Sequence, residues 1–188
     1  MSRRVPAVAP KSRRQIDNES VEFLTKHFSE HLEIPGRLPV LKCFDLLSDY
    51  GLDPGVAELS EGDEGISYPD GRVLLSEKTY RGAHAGNGRD RFTVVHECYH
   101  GLYHRHQIQH ALVHQGTIVL ARRGELPAYR DPEWQANVFA ASALMPESMV
   151  KMVVARHSTA WERIQQVASI FGVSEQSARI RLTQLGLI

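Results

Sequence analysis

Apolar residues recur along most of this chain at steps of three and four, and the period changes in one stretch near the middle. Val21, Leu24, Phe28 and Leu32 share a helical stripe, which predicts a helix from Asp17 or Asn18 to about Glu33, ended by Pro35-Gly36. Pro39 suits the first turn of a second helix, striped by Val40, Leu41, Phe44 and Leu47 and closed by Gly51, with Asp53-Pro54-Gly55 as a turn. From Val56 to Ser76 the helical spacing is lost. Val56-Leu59, Gly65-Tyr68 and Arg72-Ser76 read as short strands, the last two joined by the hairpin signal Pro69-Asp70-Gly71. The glycine-rich run from Arg81 to Gly88 reads as a flexible connector. A core helix follows from Arg91 to Tyr103, with Val94, Cys98 and Leu102 in one apolar row and Phe92, Val95, Tyr99 and Tyr103 in another. Thr117-Leu120 is a further candidate strand, and a loop holding Gly124, Pro127 and Tyr129 comes next. Asp131 as N-cap and Pro132 in the first turn open another helix, and Pro146 marks its end. Three more helices are predicted at Glu147-His157, Thr159-Phe171 and Ser174-Leu185. The pattern is that of an α+β protein, mainly helical, with a small antiparallel sheet preceding the core helix.

The chemistry sits in that core helix as His96-Glu97-x-x-His100. A helix advances roughly 100° per residue, so the two imidazoles lie roughly 40° apart on one face and can reach a single metal ion. Glu97 stands beside them, where a carboxylate can hold the metal's water. Two histidines and a glutamate on an apolar helix are costly unless satisfied. A hydrolytic zinc takes three protein ligands and leaves a position for water, so a third ligand is required. Glu133 shares a helix face with Ala136, Asn137 and Ala140, small enough for close packing on the core helix. Packed so, Glu133 points at the metal; otherwise it is a first-turn acid worth a few tenths of a kcal/mol against the helix dipole, roughly. His104, His106, His110 and His114 also follow closely. His27 and His31 lie among polar residues and read as a solvated face, and Cys98 reads as packing.

Composition narrows the rest. The 188 residues carry 22 basic and 22 acidic side chains, so no overall basic field announces a nucleic-acid partner. Only Cys43 and Cys98 are present, in no C-x-x-C pair, which argues against a disulfide framework or a cysteine zinc finger and for the cytoplasm. No apolar run approaches the roughly 18 residues that cross a bilayer, so no membrane partner is expected. Residues 1–15 hold Arg3, Arg4, Lys11, Arg13 and Arg14 with no acid, a flexible basic tail by composition. Residues 16–188 then form one domain: N-terminal helices (16–55), sheet and metal-site core (56–146) and C-terminal helices (147–188).

RFTVVHECYHGLYH followed after about thirty residues by EWQANVFAASALMP resembles the ImmA/IrrE family of metallopeptidases. The likeness runs from about Val56 to Pro146 and implies a zincin-like core holding one Zn2+. It implies His96, His100 and Glu133 as metal ligands and Glu97 as the catalytic acid/base. It also implies a zinc endopeptidase that cleaves a helix-turn-helix repressor or similar regulator and so derepresses mobile-element or stress-response genes. A transition-state donor is then wanted beside the metal, with His104, Tyr129 and His157 as candidates. The competing reading is a DNA-binding regulator. Ile164-Leu182 reads as two helices joined by Gly172-Val173-Ser174, the second bearing Arg179 and Arg181, with the metal site structural or inactive.

Overall fold

The computed structural model describes residues 4–115, 120–122 and 126–188. Strand β1 (Arg4–Pro6) leads to helix α1 (Arg13–His27), a 3-10 turn (Ser29–Leu32), helix α2 (Val40–Asp45) and a second 3-10 turn (Leu46–Tyr50). Strands β2 (Asp53–Ala57), β3 (Gly65–Ser67) and β4 (Arg72–Ser76) come next, followed by helix α3 (Glu77–His84). Helix α4 (Gly88–Tyr99) continues through a π-helical turn (His100–His104) into α5 (Arg105–Gln115). Strand β5 (Leu120–Arg122), a 3-10 turn (Ala128–Arg130) and helices α6 (Pro132–Leu144), α7 (Glu147–Val154), α8 (Ala160–Phe171) and α9 (Glu175–Gln184) complete the order. The strand expected at Thr117-Leu120 falls mostly outside the described residues, as does Gly124.

Helix α4 is the axis. It packs on α6 along one side, on α2 and α3 along others, and on β3. Helix α1 lies on the far side of α6, and Leu24, Val94, Val95, Tyr99, Phe139 and Leu144 are buried between the three. The small sheet has the order β2-β4-β3. The β3–β4 hairpin is antiparallel as expected, pairing Ser67 with Val73, and Tyr68 N donates to Arg72 O at 2.8 Å. β2 instead runs parallel to β4, pairing Asp53 with Arg72 and Ala57 with Ser76, so the sheet is mixed. Val73 and Leu75 of β4 are fully enclosed, as suits the central strand, and β2 and β3 are the edges. Asp53-Pro54-Gly55 is accordingly strand and not turn, and Pro54 is tolerated because an edge strand can spare an N–H.

The N-terminal segment departs from its composition. Where a flexible tail was expected over residues 1–15, β1 pairs antiparallel with β5, Val8 is buried, and Ala9 N donates to Gln107 Oε1 at 2.7 Å. Lys11 pairs with Glu19 at 2.7 Å and donates to the Tyr99 hydroxyl at 3.1 Å. Ser12 caps α1 in a capping box with Gln15, so the helix begins at Arg13, earlier than Asp17. Charge density says nothing about backbone partners, and those partners hold this segment. His31, read as solvated, is buried, with Nε2 3.1 Å from the Ala143 carbonyl. The run Arg81–Gly88 is mostly helix: α3 ends at His84, Gly86 turns at φ 88°, and Asn87 caps α4.

At the C-terminus the expected joint between two helices is present: Gly172 takes the left-handed conformation at φ 63° and Ser174 caps α9. Buried Arg91 of α4 donates to the carbonyls of Gly172 and Leu38, both at 2.9 Å, tying this hairpin to the axis. Arg181 is 2% exposed and donates to Met145 O at 3.2 Å and to Asp17 at 3.3 Å. Asp17 also accepts from Ser142. One of the two cations on which a DNA contact was read is therefore enclosed in protein, and Arg179 alone is exposed. Among the described residues no helix is long and apolar enough to cross a membrane.

Candidate metal centre

Glu133 stands in the first turn of α6, where Asp131 accepts from the Glu133 amide at 2.9 Å and Pro132 sets the backbone for helix entry. Ala136 and Ala140, fully buried, carry no bulk that would hold α6 away from α4. This brings Glu133 across from His96 and His100. His96 Nε2 and His100 Nε2 are 3.0 Å apart, Glu133 Oε2 is 3.6 Å from the first, and Glu133 Oε1 is 3.5 Å from the second. Two neutral imidazoles and a carboxylate are the donor set zinc favours. Four ligands held tetrahedrally at about 2.0–2.1 Å stand about 3.3 Å apart, and the three observed separations bracket that edge. The residues present therefore fit a single zinc ion with one coordination position left open. Among the described residues this is the one group of three or more that can hold a metal.

Each histidine is held from behind. His96 Nδ1 lies 3.1 Å from Asn137 Oδ1, one turn along α6 from Glu133. His100 Nδ1 lies 3.0 Å from His104 Nδ1, and His104 Nε2 lies 3.0 Å from Gln135 Oε1. The π turn shapes this arrangement: Arg105 N–H reaches back five residues to His100 O. Such turns interrupt α-helices mostly at functional sites. Gly101 lets the turn sit on the sheet, because a Cβ there would come within 2.8 Å of Val73 Cγ2.

Glu97 is buried on the sheet side of α4, and Ser67 Oγ lies 3.0 Å from its Oε2 and 3.1 Å from its main-chain oxygen, its one hydrogen within reach of both. A Cβ at Gly65 would lie 2.5 Å from Glu97 Cγ, so only glycine allows β3 this close. Gly65 and Ser67 alternate onto the same strand face. Neither was picked out from the sequence, although a glycine and a hydroxyl two apart in an edge strand are the signal that would have found them.

Of the three candidate transition-state donors, the structure places one against the cluster, and from behind. His104 is fully buried behind His100. Tyr129 is half exposed, and its main-chain oxygen is the atom engaged, accepting from Gln135. His157 lies in the link between α7 and α8, where its carbonyl accepts from Arg163. Neither of these two side chains bonds to the cluster among the described residues. His106 faces solvent, and the side chain of His114 lies outside the described residues. A cleft of about 350 Å3 beside Asn137 runs along α4 and α6 to α9, lined by Phe92, Trp134, Val138 and Ile180.

Burial, with the charges of His96 and His104, pushes the His100 imidazole well below its usual pKa. Burial likewise holds His104 down at about 4, against the Gln135 hydrogen bond that favours its charged form. His96 is raised: burial opposes its charge, but the Glu133 hydrogen bond and the charges of Glu97 and Glu133 outweigh it. A histidine depressed in the folded state binds its proton first in the unfolded chain, so its stabilisation, full above pH 6.5, is lost as pH falls toward the folded value. Metal-free protein should thus lose stability from pH 6.5 down to 4, by about 3 kcal/mol from His104 alone, with His96 acting in the opposite sense. Urea unfolding across that range checks it, and a flat or rising profile would contradict it.

A family model, Peptidase_M78, described as the IrrE N-terminal-like domain, matches residues 82–183. No curated protein matches the chain. The matched span holds the two histidines, Glu97 and Glu133, together with the C-terminal helices.

Proposed function

The chain belongs to the Peptidase_M78 family, and from that premise we propose that it is a zinc-dependent endopeptidase. The observation that carries the reading is the convergence of His96, His100 and Glu133 within 4.8 Å of one another, with Glu97 next in sequence. When bound, zinc supplies Lewis acidity, polarising the scissile carbonyl and acidifying the attacking water to a pKa of roughly 7. Glu97 takes a proton from that water and returns it to the leaving amine. Ser67 donates to one oxygen of the Glu97 carboxylate and so helps to orient it. Strand β3 is an edge of the sheet and touches Glu97, so an extended peptide added along it would bring its carbonyls past the acid/base.

The substrate we propose is a helix-turn-helix repressor or similar transcription regulator, cut in the cytoplasm. The resemblance of the paired motifs to regulatory peptidases supports the first part, and the two buried unpaired cysteines suit the second. Incubating the zinc-loaded protein with the helix-turn-helix regulators of its own source should give, from one of them, a discrete fragment that a chelator prevents. No fragment, or one equally abundant with chelator present, would count against the reading.

A further inference from the structure

We propose that Gln135 and His104 form a positioning relay that fixes which nitrogen of His100 carries its proton, and so keeps the other free for the metal. The inference rests on the zinc reading above for its purpose, but its logic is internal to the hydrogen bonds. Gln135 Nε2 lies 2.9 Å from the carbonyl of Ala9 and 2.8 Å from that of Tyr129. Carbonyls only accept, so the amide nitrogen must face them and spends both its hydrogens there. The amide oxygen is thereby turned to His104 Nε2 at 3.0 Å, where it requires an N–H. A neutral imidazole carries one hydrogen only, so His104 Nδ1 is bare and accepts. Its one neighbour of that kind is His100 Nδ1 at 3.0 Å, which must then donate. His100 Nε2 is left with its lone pair directed at His96 and Glu133.

The relay starts from backbone. Ala9 belongs to the N-terminal segment and Tyr129 to the turn before α6, so two main-chain oxygens outside the metal helix set the proton on a ligand inside it. The alternative tautomer fails at Gln135: a proton on His104 Nδ1 would leave the Gln135 oxygen facing a bare nitrogen in a fully enclosed site. His104 is buried and does not touch substrate; it acts through His100. Partners of this kind orient a ligand and raise its basicity, and their loss costs 10–100-fold in metal affinity or activity, roughly.

The test is a long-range 1H–15N correlation spectrum of wild-type protein with 15N-labelled histidine, recorded with and without zinc. His104 is expected with Nε2 protonated and Nδ1 bare in both, and His100 with Nδ1 protonated. A His104 protonated at Nδ1 would overturn the relay. Removing the anchor with Gln135→Leu should turn the single His104 tautomer into a mixture. In zinc competition titrations, His104→Leu should bind about 10–100-fold more weakly and His104→Gln, which restores an acceptor, should recover part of the loss. Equal affinity of His104→Leu and wild type would also overturn it. Should wild type bind no zinc, the metal reading fails by itself, while the tautomer of His104 still decides the relay.

Discussion

Glu97→Gln is expected to leave zinc bound and to stop proteolysis. Glutamine is nearly isosteric, and its amide oxygen can still accept from Ser67 Oγ, so the contact between β3 and α4 persists. An amide has no basicity near neutral pH, however, and neither collects the proton of the attacking water nor returns it to the leaving amine. Positioned proton transfer contributes about 10²–10⁴-fold to a rate, and a loss at the upper end is expected because one group serves both transfers. His96, His100 and Glu133 are untouched, so zinc content should match wild type. Cleavage rate and zinc content measured on the same preparation check both halves. Wild-type cleavage by the variant would remove Glu97 from the mechanism.

Glu133→Ala is expected to weaken zinc binding sharply. It removes the one carboxylate from a cluster whose other members are neutral imidazoles, and with it the oxygens 3.6 and 3.5 Å from the two nitrogens. Loss of an outer partner alone costs 10–100-fold, roughly; loss of a ligand should cost at least about 10²-fold on that scale. The helix should survive, because Asp131 still caps it and Pro132 still opens it. The missing first-turn acid then costs only a few tenths of a kcal/mol, roughly. Competition against a chromophoric chelator reads the affinity, and circular dichroism reads the helix. Unchanged affinity would place the third ligand elsewhere.

The part of the site legible in the sequence is the part written in helical periodicity. His96, Glu97 and His100 follow from a four-residue spacing on an apolar helix, whereas the small faces of Ala136 and Ala140 only allow α6 to come close, and it is the family resemblance that assigns Glu133 to the metal. Cap chemistry at Asp131 and Ser174 places two helix starts to within a residue. What periodicity misses is pairing between distant backbones. The parallel partner of β4, the packed segment from Arg4 to Ser12, and the Ser67 hydroxyl on Glu97 depend on contacts across many residues that no local pattern encodes. His104 fails for another reason. It reads as a candidate donor to the reacting carbonyl, but the helix takes a π turn there and its buried ring bonds His100 from behind. Arg181 likewise reads as a surface cation, and only tertiary packing reveals that it bonds a carbonyl and an aspartate in the interior.

The most direct measurement is a crystal of zinc-loaded protein with data collected on both sides of the zinc absorption edge. One anomalous peak is predicted, bonded to His96 Nε2, His100 Nε2 and the Glu133 carboxylate. A peak bonded to other residues, or none at full zinc loading, would contradict the account.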